Sequence, residues 1–300
     1  MSSATIRFAS FLRHAAAAAV LAAAGAAALP AAAQDSRRVY VFGNSLVYHL
    51  TKTERTAVPY WLGLMTRAGG KSLALEGRWG FLRDFANELP AQPNWEFSTV
   101  SRAWKGGDFR GSGFDTIIIT PANFIQGRPA SKRYQGDNPT GDSPLSAALK
   151  LIDWLSAAAP KADIFIYEGW SLMGGFPPDA QQIADYHALN RGSYHKWFVD
   201  FTSKLRQKSY GQEVRLIPVA SVLSAYLTQP PLSELKPTDL YEDDAPHGTE
   251  TLYLLAAMIT YSSLFNEPAP AIRLPSSVHP TVRKYYSGLA TAIYTTVAAG

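Results

Sequence analysis

Short apolar runs separated by helical patterns constrain the fold of this chain more than any other feature. The runs lie at residues 39–42, 72–76, 114–120, 162–168 and 214–219. Continuous apolar runs of this length are typical of strands buried on both faces of a sheet. Because helical patterns lie between them, strands alternate with helices. This order predicts an α/β protein, a three-layer α/β/α sandwich around a mostly parallel sheet.

The predicted helices carry recognisable start and stop signals. Residues 58–68 have helical spacing, with Pro59 in the first turn and a stop at Gly69-Gly70. Residues 143–158 begin with Ser143 as N-cap and Pro144 in the first helical position. The helical stretch 180–208 is expected to break near Gly192, and two further helices are predicted at 249–265 and 282–297.

Residues 1–33 have the layout of a secretory signal peptide. Arg7, Arg13 and His14 precede an alanine-rich apolar run, and small residues occupy the −3 and −1 positions of a cut before Gln34. The run is shorter than the roughly 18 residues that a membrane-spanning helix needs. We expect cleavage, a periplasmic or secreted location, and one domain over residues 34–300. An uncleaved anchoring helix is the alternative.

Charge and cysteine content exclude several function classes. The formal net charge is +4, and Arg7 and Arg13 of the predicted leader supply two of those charges. No nucleic-acid partner is therefore expected, and none at a membrane surface. The chain has no cysteine, which rules out disulfides, thiolate metal sites and a cysteine nucleophile.

The end of the first predicted strand carries a candidate nucleophile. Gly43-Asn44-Ser45-Leu46 follows the apolar run, so a sharp turn would present the Ser45 hydroxyl at the carboxyl edge of the sheet. Nearby backbone N–H groups at such a turn can stabilise an oxyanion. Taken alone, a serine after glycine is also a common turn or cap residue.

A candidate acid and base lie near the C-terminus. In Asp243-Asp244-Ala245-Pro246-His247, a carboxylate three residues before a histidine can orient its ring and stabilise the imidazolium. We therefore pair Asp244 with His247. The alternative for this segment alone is the start of a helix with a surface histidine.

The two segments together resemble the SGNH/GDSL hydrolase superfamily, in a divergent branch with a Gly-Asn-Ser-Leu first block. The resemblance implies a flavodoxin-like fold, a serine hydrolase acting on ester bonds, and a triad of Ser45, Asp244 and His247. It also implies an oxyanion hole made by the Ser45 N–H, an asparagine after the third strand and a glycine after the second. Asn123 is at the asparagine position; Gly77 is the first choice for the glycine and Gly80 the next.

Two departures from the family pattern concern the subgroup more than the chemistry. Asn44 replaces the usual aspartate of the first block, which keeps a polar turn and removes a charge. The third block reads Pro-Ala-Asn-Phe, without the usual glycine before Asn123 or the aspartate after it.

Other polar residues have weaker claims on the site. Glu168 and Trp170 follow a central strand and are predicted, with Asn44, to bind substrate; capping and core packing are the alternatives. His49 is a rival base without an evident orienting acid. His187 and His195 are assigned to packing or surface roles rather than to a metal. The polar loop 126–142 is either a binding surface or a surface insertion.

The resulting hypothesis is hydrolysis of a carboxylic ester through a covalent acyl-enzyme, with no metal or organic cofactor. An O-acyl group on a carbohydrate is the favoured substrate, and a lipid or thioester acyl group is the next. Two other functions stay open: an O-acyltransferase with the same triad, and a non-catalytic carbohydrate-binding protein on the same scaffold.

Overall fold

A single parallel sheet forms the centre of the molecule. The computed structural model describes residues 35–49, 53–104, 106–121 and 128–300, and all of them belong to one compact unit. The strands in these residues are β1 (Ser36–Gly43), β2 (Ser72–Trp79), β3 (Ser101–Arg102), β4 (Thr116–Ile119), β5 (Asp163–Tyr167) and β6 (Val214–Ile217). They lie in the order β3-β2-β1-β4-β5-β6, and all neighbours pair in parallel.

Helices cover both faces of this sheet. They are α1 (Val58–Ala68), α2 (Leu82–Asn87), α3 (Pro144–Ala158), α4 (Ala180–Arg191), α5 (Ser193–Arg206), α6 (Val219–Leu227), α7 (Pro237–Leu240), α8 (Glu250–Phe265) and α9 (Pro280–Ala299). Helix α8 packs on α1 and α9, whereas α3 packs on α2 and α5. No helix in the described ranges is both long and apolar enough to cross a membrane.

The core explains why the apolar runs become strands and α8 a central helix. Val39 to Phe42 in β1 and Ile117 to Ile119 in β4 are almost completely buried, as expected for strands covered on both faces. Helix α8 is apolar around most of its circumference and is buried along nearly its whole length. Such a helix can be stable only inside the molecule.

The structure confirms the predicted three-layer α/β/α class. It also confirms the Ser143 cap of α3 and the break between α4 and α5 at Gly192. Strand β2 extends to Trp79, three residues beyond the prediction, because its pairing with β1 continues through Gly43 and Trp79. The short elements β3, α2, α6 and α7 were not predicted. The predicted signal peptide lies outside the described residues and stays a prediction.

The topology determines where a site can form. Strand β1 lies between β2 and β4, and the chain leaves β1 and β4 toward opposite sides of the sheet. The carboxyl end of β1 is therefore the switch point of the sheet, where parallel α/β proteins have a crevice. Ser45 follows the end of β1 by two residues.

Candidate active site

A tight turn after β1 presents Ser45. The Asn44 side-chain oxygen accepts a hydrogen bond from the Leu46 N–H at 3.0 Å, and the Asn44 carbonyl accepts from Val47 and Tyr48. Asn44 is only 2% exposed. The structure thus corrects its predicted role in substrate binding: its side chain is used within the turn, which needs an oxygen acceptor but no charge.

The Ser45 hydroxyl meets the His247 ring across the carboxyl edge of the sheet. Ser45 Oγ lies 3.0 Å from His247 Nε2, although 202 positions separate the two residues in the sequence. The buried hydroxyl of Tyr253, in the first turn of α8, donates to the Ser45 carbonyl. The Tyr167 hydroxyl donates to the Leu46 carbonyl at 3.3 Å. Two tyrosines from different elements therefore fix the backbone that carries the serine.

Asp243, not Asp244, contacts the other side of the His247 ring. Asp243 Oδ2 lies 2.6 Å from His247 Nδ1, and Asp243 Oδ1 accepts from the N–H groups of Ala245 and His247. These backbone bonds close the turn with the Asp243 side chain inside it. Asp244 is exposed. The predicted pairing of Asp244 with His247 is therefore wrong. The partner of His247 is Asp243, four residues before it.

The surroundings of Asp243 favour its ionised form. Partial burial raises the pKa of the carboxyl, but hydrogen bonds from the His247 ring and from the N–H groups of His247 and Ala245 outweigh it, so the pKa is lowered overall. An ionised carboxylate at Nδ1 requires a proton on that nitrogen. The lone pair of His247 Nε2 is then directed at the Ser45 hydroxyl, which is the arrangement of a general base.

A buried tryptophan, Trp170, holds the segment that carries His247. The Trp170 ring is 1% exposed, and its Nε1–H donates to the Pro246 carbonyl at 2.8 Å. The Met173 N–H donates to the Asp244 carbonyl at 3.2 Å. Trp170 was predicted to bind substrate; the structure instead places it under the histidine turn, because its indole is enclosed there against Tyr253.

Glu168 is likewise not open to substrate. Its carboxylate is completely buried, 3.0 Å from His195 Nδ1, and it accepts a hydrogen bond from Ser221 Oγ at 3.1 Å. Burial raises the pKa of Glu168, although His195 and Ser221 oppose that shift, and the hydrogen bond to Glu168 raises the pKa of His195. Glu168 was predicted to bind substrate. The structure instead shows it, directly after β5, in an internal cluster with His195 of α5 and Ser221 of α6.

The two candidate glycines of the oxyanion hole differ in their position relative to the end of β2. Gly77 lies inside β2 opposite Val41, and the Trp95 ring covers its Cα closely enough that a Cβ would lie 2.2 Å from the ring. The prediction that Gly77 follows the strand end is therefore wrong, since β2 is longer than expected. Gly80 does follow that end, and its N–H donates to the Gly43 carbonyl at 2.9 Å. Asn123 lies outside the described residues, and its role stays a prediction.

An aromatic pair and a cavity border the same edge of the sheet. Trp79 and Phe81, beside the Gly80 turn, are more than a third exposed, and their rings meet edge to face at 5.6 Å. A neighbouring cavity of about 230 Å³ is lined by Phe81, Leu82, Arg83, Asp84, Pro121, Tyr134 and Gln135. The polar loop thus contributes Tyr134 and Gln135 to a concave surface.

Two further histidines, His49 and His187, contact other side chains. His49 stacks face to face on His247, with ring centroids 3.9 Å apart. His187 Nδ1 lies 3.1 Å from Ser224 Oγ, and burial, with a smaller contribution from Arg191, lowers the pKa of His187 to about 4. Among the residues with defined positions, no three His, Asp or Glu side chains are grouped so that they could hold a metal ion.

Comparison with known proteins finds similarity only among solved structures. No family model matches the chain, and no curated protein matches it. A family 3 carbohydrate esterase from Clostridium thermocellum shares 14% identity, over 76% of this chain and 94% of its own, with a TM-score of 0.40. A family 3 carbohydrate esterase from Talaromyces cellulolyticus shares 12% identity, over 77% and 97%, with a TM-score of 0.39.

A third similar structure belongs to a family 2 carbohydrate esterase. This enzyme from Corynascus thermopiles (Myceliophthora fergusii), which carries a carbohydrate-binding domain, shares 15% identity over 79% of this chain and 68% of its own, with a TM-score of 0.37. Likeness at this level does not establish a shared activity.

Proposed function

We propose that this chain is a serine esterase that hydrolyses a carboxylic ester through a covalent acyl-enzyme. The observation that carries the proposal is the continuous series Ser45, His247 and Asp243, with Oγ to Nε2 at 3.0 Å and Nδ1 to Oδ2 at 2.6 Å. Both distances lie within the range that general-base catalysis needs. The order along the chain, serine first and histidine last, also fits the superfamily resemblance of the two motifs.

In the acylation step, His247 Nε2 takes the proton of the Ser45 hydroxyl as Oγ attacks the ester carbonyl carbon. The resulting imidazolium is stabilised by the Asp243 carboxylate, which stays ionised. The tetrahedral oxyanion receives hydrogen bonds from the Ser45 N–H and, by our proposal, from the Asn123 amide. Collapse expels the alcohol, which takes its proton from His247, and leaves an ester on Ser45.

In the second step, water hydrolyses that ester. His247 takes a proton from the water, the hydroxide equivalent attacks the acyl carbon, and Ser45 Oγ leaves with the proton. The products are a carboxylic acid and the free enzyme. The chain's own residues supply every proton transfer in this scheme, so the proposal includes no cofactor.

An O-acylated carbohydrate is the substrate class that we propose. Trp79 and Phe81 offer apolar ring faces, and Arg83, Asp84 and Gln135 offer polar groups in the neighbouring cavity. This combination suits a sugar, which has an apolar face and hydroxyl groups around its edge. With the predicted signal peptide, it is consistent with an exported enzyme that removes acyl groups from sugars.

The test is labelling by a fluorophosphonate probe together with release of acetate from acetylated sugars and from p-nitrophenyl acetate. Wild type is expected to bind one equivalent of probe and to release acetate, while Ser45→Ala does neither. Asp244→Asn serves as a folded control with a polar change in the same segment. Transfer of acetyl to an added sugar in preference to water would favour an acyltransferase, and absence of both labelling and cleavage in wild type would refute the proposal.

A further inference from the structure

The His247 ring is supported on one face by a second imidazole. The rings of His49 and His247 are parallel to within 4°, and their centroids are 3.9 Å apart. That separation is van der Waals contact over the whole face of the ring. The hydrogen bonds from His247 to Asp243 and Ser45 lie at the ring edge, so they leave the face available for this stack.

His49 is fixed independently of the segment that carries His247. Its N–H donates to the Thr56 carbonyl at 3.0 Å, and its carbonyl accepts from Thr56 Oγ1 at 2.8 Å. The adjacent residues Tyr48 and Ala57 form an antiparallel bridge. The backbone that carries the His49 ring is therefore held by the segment that follows the nucleophile turn, not by the turn containing Asp243.

This anchoring gives the stack a mechanical effect on the base. Rotation of the His247 ring about its Cβ–Cγ bond moves Nε2 out of the plane in which it meets Ser45 Oγ. A flat ring against the whole of one face opposes that rotation in either direction, because one edge of the His247 ring then moves into it. Since displacement of a catalytic group by about 1 Å can cost on the order of 100-fold in rate, such a constraint has a large effect on turnover.

We propose that His49 is a positioning residue, which holds the His247 base in the plane of its hydrogen bonds. The proposal rests on the proposed esterase function, because it assigns a role within the same site. The hydrogen bonds of His49 in the described part of the chain go to Thr56, not to Ser45 or Asp243. It acts through His247.

The uncharged state of His49 is required by the reaction. During each step His247 becomes an imidazolium, and a second positive ring stacked at 3.9 Å would repel it, whereas the face of a neutral ring attracts a cation. Within the described part of the chain, the charged groups that act on His49 are His247 and Asp243. Burial and the charge of His247 lower the pKa of His49 to about 4, with Asp243 opposing, so that His49 is neutral near pH 7.

Three substitutions at His49 separate shape from charge. His49→Phe keeps a flat, uncharged ring; His49→Leu keeps a similar volume without a plane; His49→Lys introduces a permanent positive charge. We expect H49F to keep kcat within about threefold of wild type, and H49L to lose about 10- to 100-fold in kcat with little change in KM. H49K should also move the acid limb of the kcat/KM profile to lower pH, because its charge disfavours the imidazolium.

A second readout does not depend on turnover. The Nδ1 proton of His247, hydrogen-bonded to Asp243, should give a sharp downfield NMR resonance in wild type and H49F and a broadened one in H49L, since a tilting ring exposes that proton to exchange. Should H49L fail to fold by circular dichroism, His49→Gln takes its place. The proposal is overturned if H49L matches H49F both in kcat and in this resonance, or if H49K has an unchanged acid limb.

These outcomes are distinct from failure of the esterase proposal. If wild type neither binds the fluorophosphonate nor cleaves any ester, the proposed function fails, and the His247 resonance still decides whether His49 holds the ring. If wild type is active and depends on Ser45 but H49L and H49F are equivalent in both readouts, only the role of His49 fails.

Discussion

At the scale of single residues, the Asp243 carboxylate combines two tasks in one turn. One oxygen accepts hydrogen bonds from the N–H groups of Ala245 and His247, and the other is hydrogen-bonded to Nδ1 of the His247 ring. The same side chain thus fixes the backbone of the turn and the orientation of the base. Its neighbour Asp244 contributes its backbone carbonyl to Met173 and has an exposed side chain.

Replacing each aspartate by asparagine should therefore give very different results. Asp243→Asn removes the charge that stabilises the His247 imidazolium and allows the wrong ring tautomer, so kcat should fall by roughly 100- to 10,000-fold. Asp244→Asn should stay within about twofold of wild type. Steady-state kinetics with p-nitrophenyl acetate measures both, and a larger loss in D244N than in D243N would return the orienting role to Asp244.

Trp170 offers a test of how far the support of the base extends. Trp170→Phe keeps an aromatic ring beside Tyr253 but removes the hydrogen bond to the Pro246 carbonyl. The buried carbonyl loses its partner, and we expect about 1–3 kcal/mol lower stability and a lower kcat. The matched control is Trp154→Phe in α3, where the ring packs on Phe109. It should lower stability but leave kcat of the folded protein unchanged.

At the scale of elements, the packing of Trp95 on β2 explains a glycine that the sequence places near the site. Gly77 has no Cβ, which lets the indole lie directly on the strand beside the first block. Gly43 in β1 also lies against the Trp95 ring, so that one indole covers two neighbouring strands. The glycine at 77 is thus explained by packing.

Adding one methyl group at this position should destabilise the sheet. In Gly77→Ala the new Cβ would lie 2.2 Å from the Trp95 ring, so the indole must move, at a cost of about 1–3 kcal/mol. Gly288→Ala in α9 is the control: it is exposed with open space around it, and should raise stability by about 0.5–1 kcal/mol through helix propensity. Urea unfolding followed by circular dichroism measures both; equal stabilities for G77A and wild type would contradict this packing.

The elements that could be predicted from sequence are those with long, strongly periodic patterns. The helices α1 and α3 and the break at Gly192 follow from caps, proline and glycine, whereas β3 has two residues and too little pattern to be recognised. The C-terminal end of β2 was placed too early because a glycine such as Gly77, directly after an apolar run, usually indicates a turn. The choice between Asp243 and Asp244 could not be made from spacing, since backbone hydrogen bonds within the turn decide it.

At the scale of the whole molecule, a buried carboxylate joins the polar loop to two helices. Asp142 is 2% exposed and is hydrogen-bonded by Thr140 at 2.5 Å, by Asn87 of α2 at 3.1 Å and by Lys150 of α3 at 3.0 Å. Burial alone would raise the pKa of Asp142, but the bonds from Lys150, Thr140 and Asn87 outweigh it and lower the pKa to about 2. Part of the stability of the fold therefore depends on this charge.

The pH dependence of that contribution follows from its sign. The pKa of Asp142 in the folded state lies below its ordinary value of 3.8, so the contribution is complete above pH 4 and is lost as the pH falls toward 2. Asp142→Asn should lower the free energy of unfolding by about 2 kcal/mol at pH 7, and the difference should shrink toward pH 2.

Urea unfolding at pH 7 and near pH 2.5 measures this difference. The exposed Asp137 lies in the same loop, and Asp137→Asn is the matched control, expected to change stability by less than about 0.5 kcal/mol at either pH. A destabilisation of D142N that is the same at both pH values would mean that packing, not the charge of Asp142, stabilises this junction.

The distance along the chain between Ser45 and His247 has a consequence for how activity arises during folding. The nucleophile follows the first strand and the base follows the last, so their hydrogen bond closes a loop of most of the chain. Closing such a long loop costs conformational entropy. Contacts of this sequence separation therefore form late, after the intervening chain has folded and brought the two ends close together. A chain still lacking its C-terminal helices would hold a serine without a base. Recovery of ester cleavage during refolding should accordingly lag behind recovery of the far-ultraviolet circular dichroism signal, which makes catalysis itself a reporter of the last step of assembly.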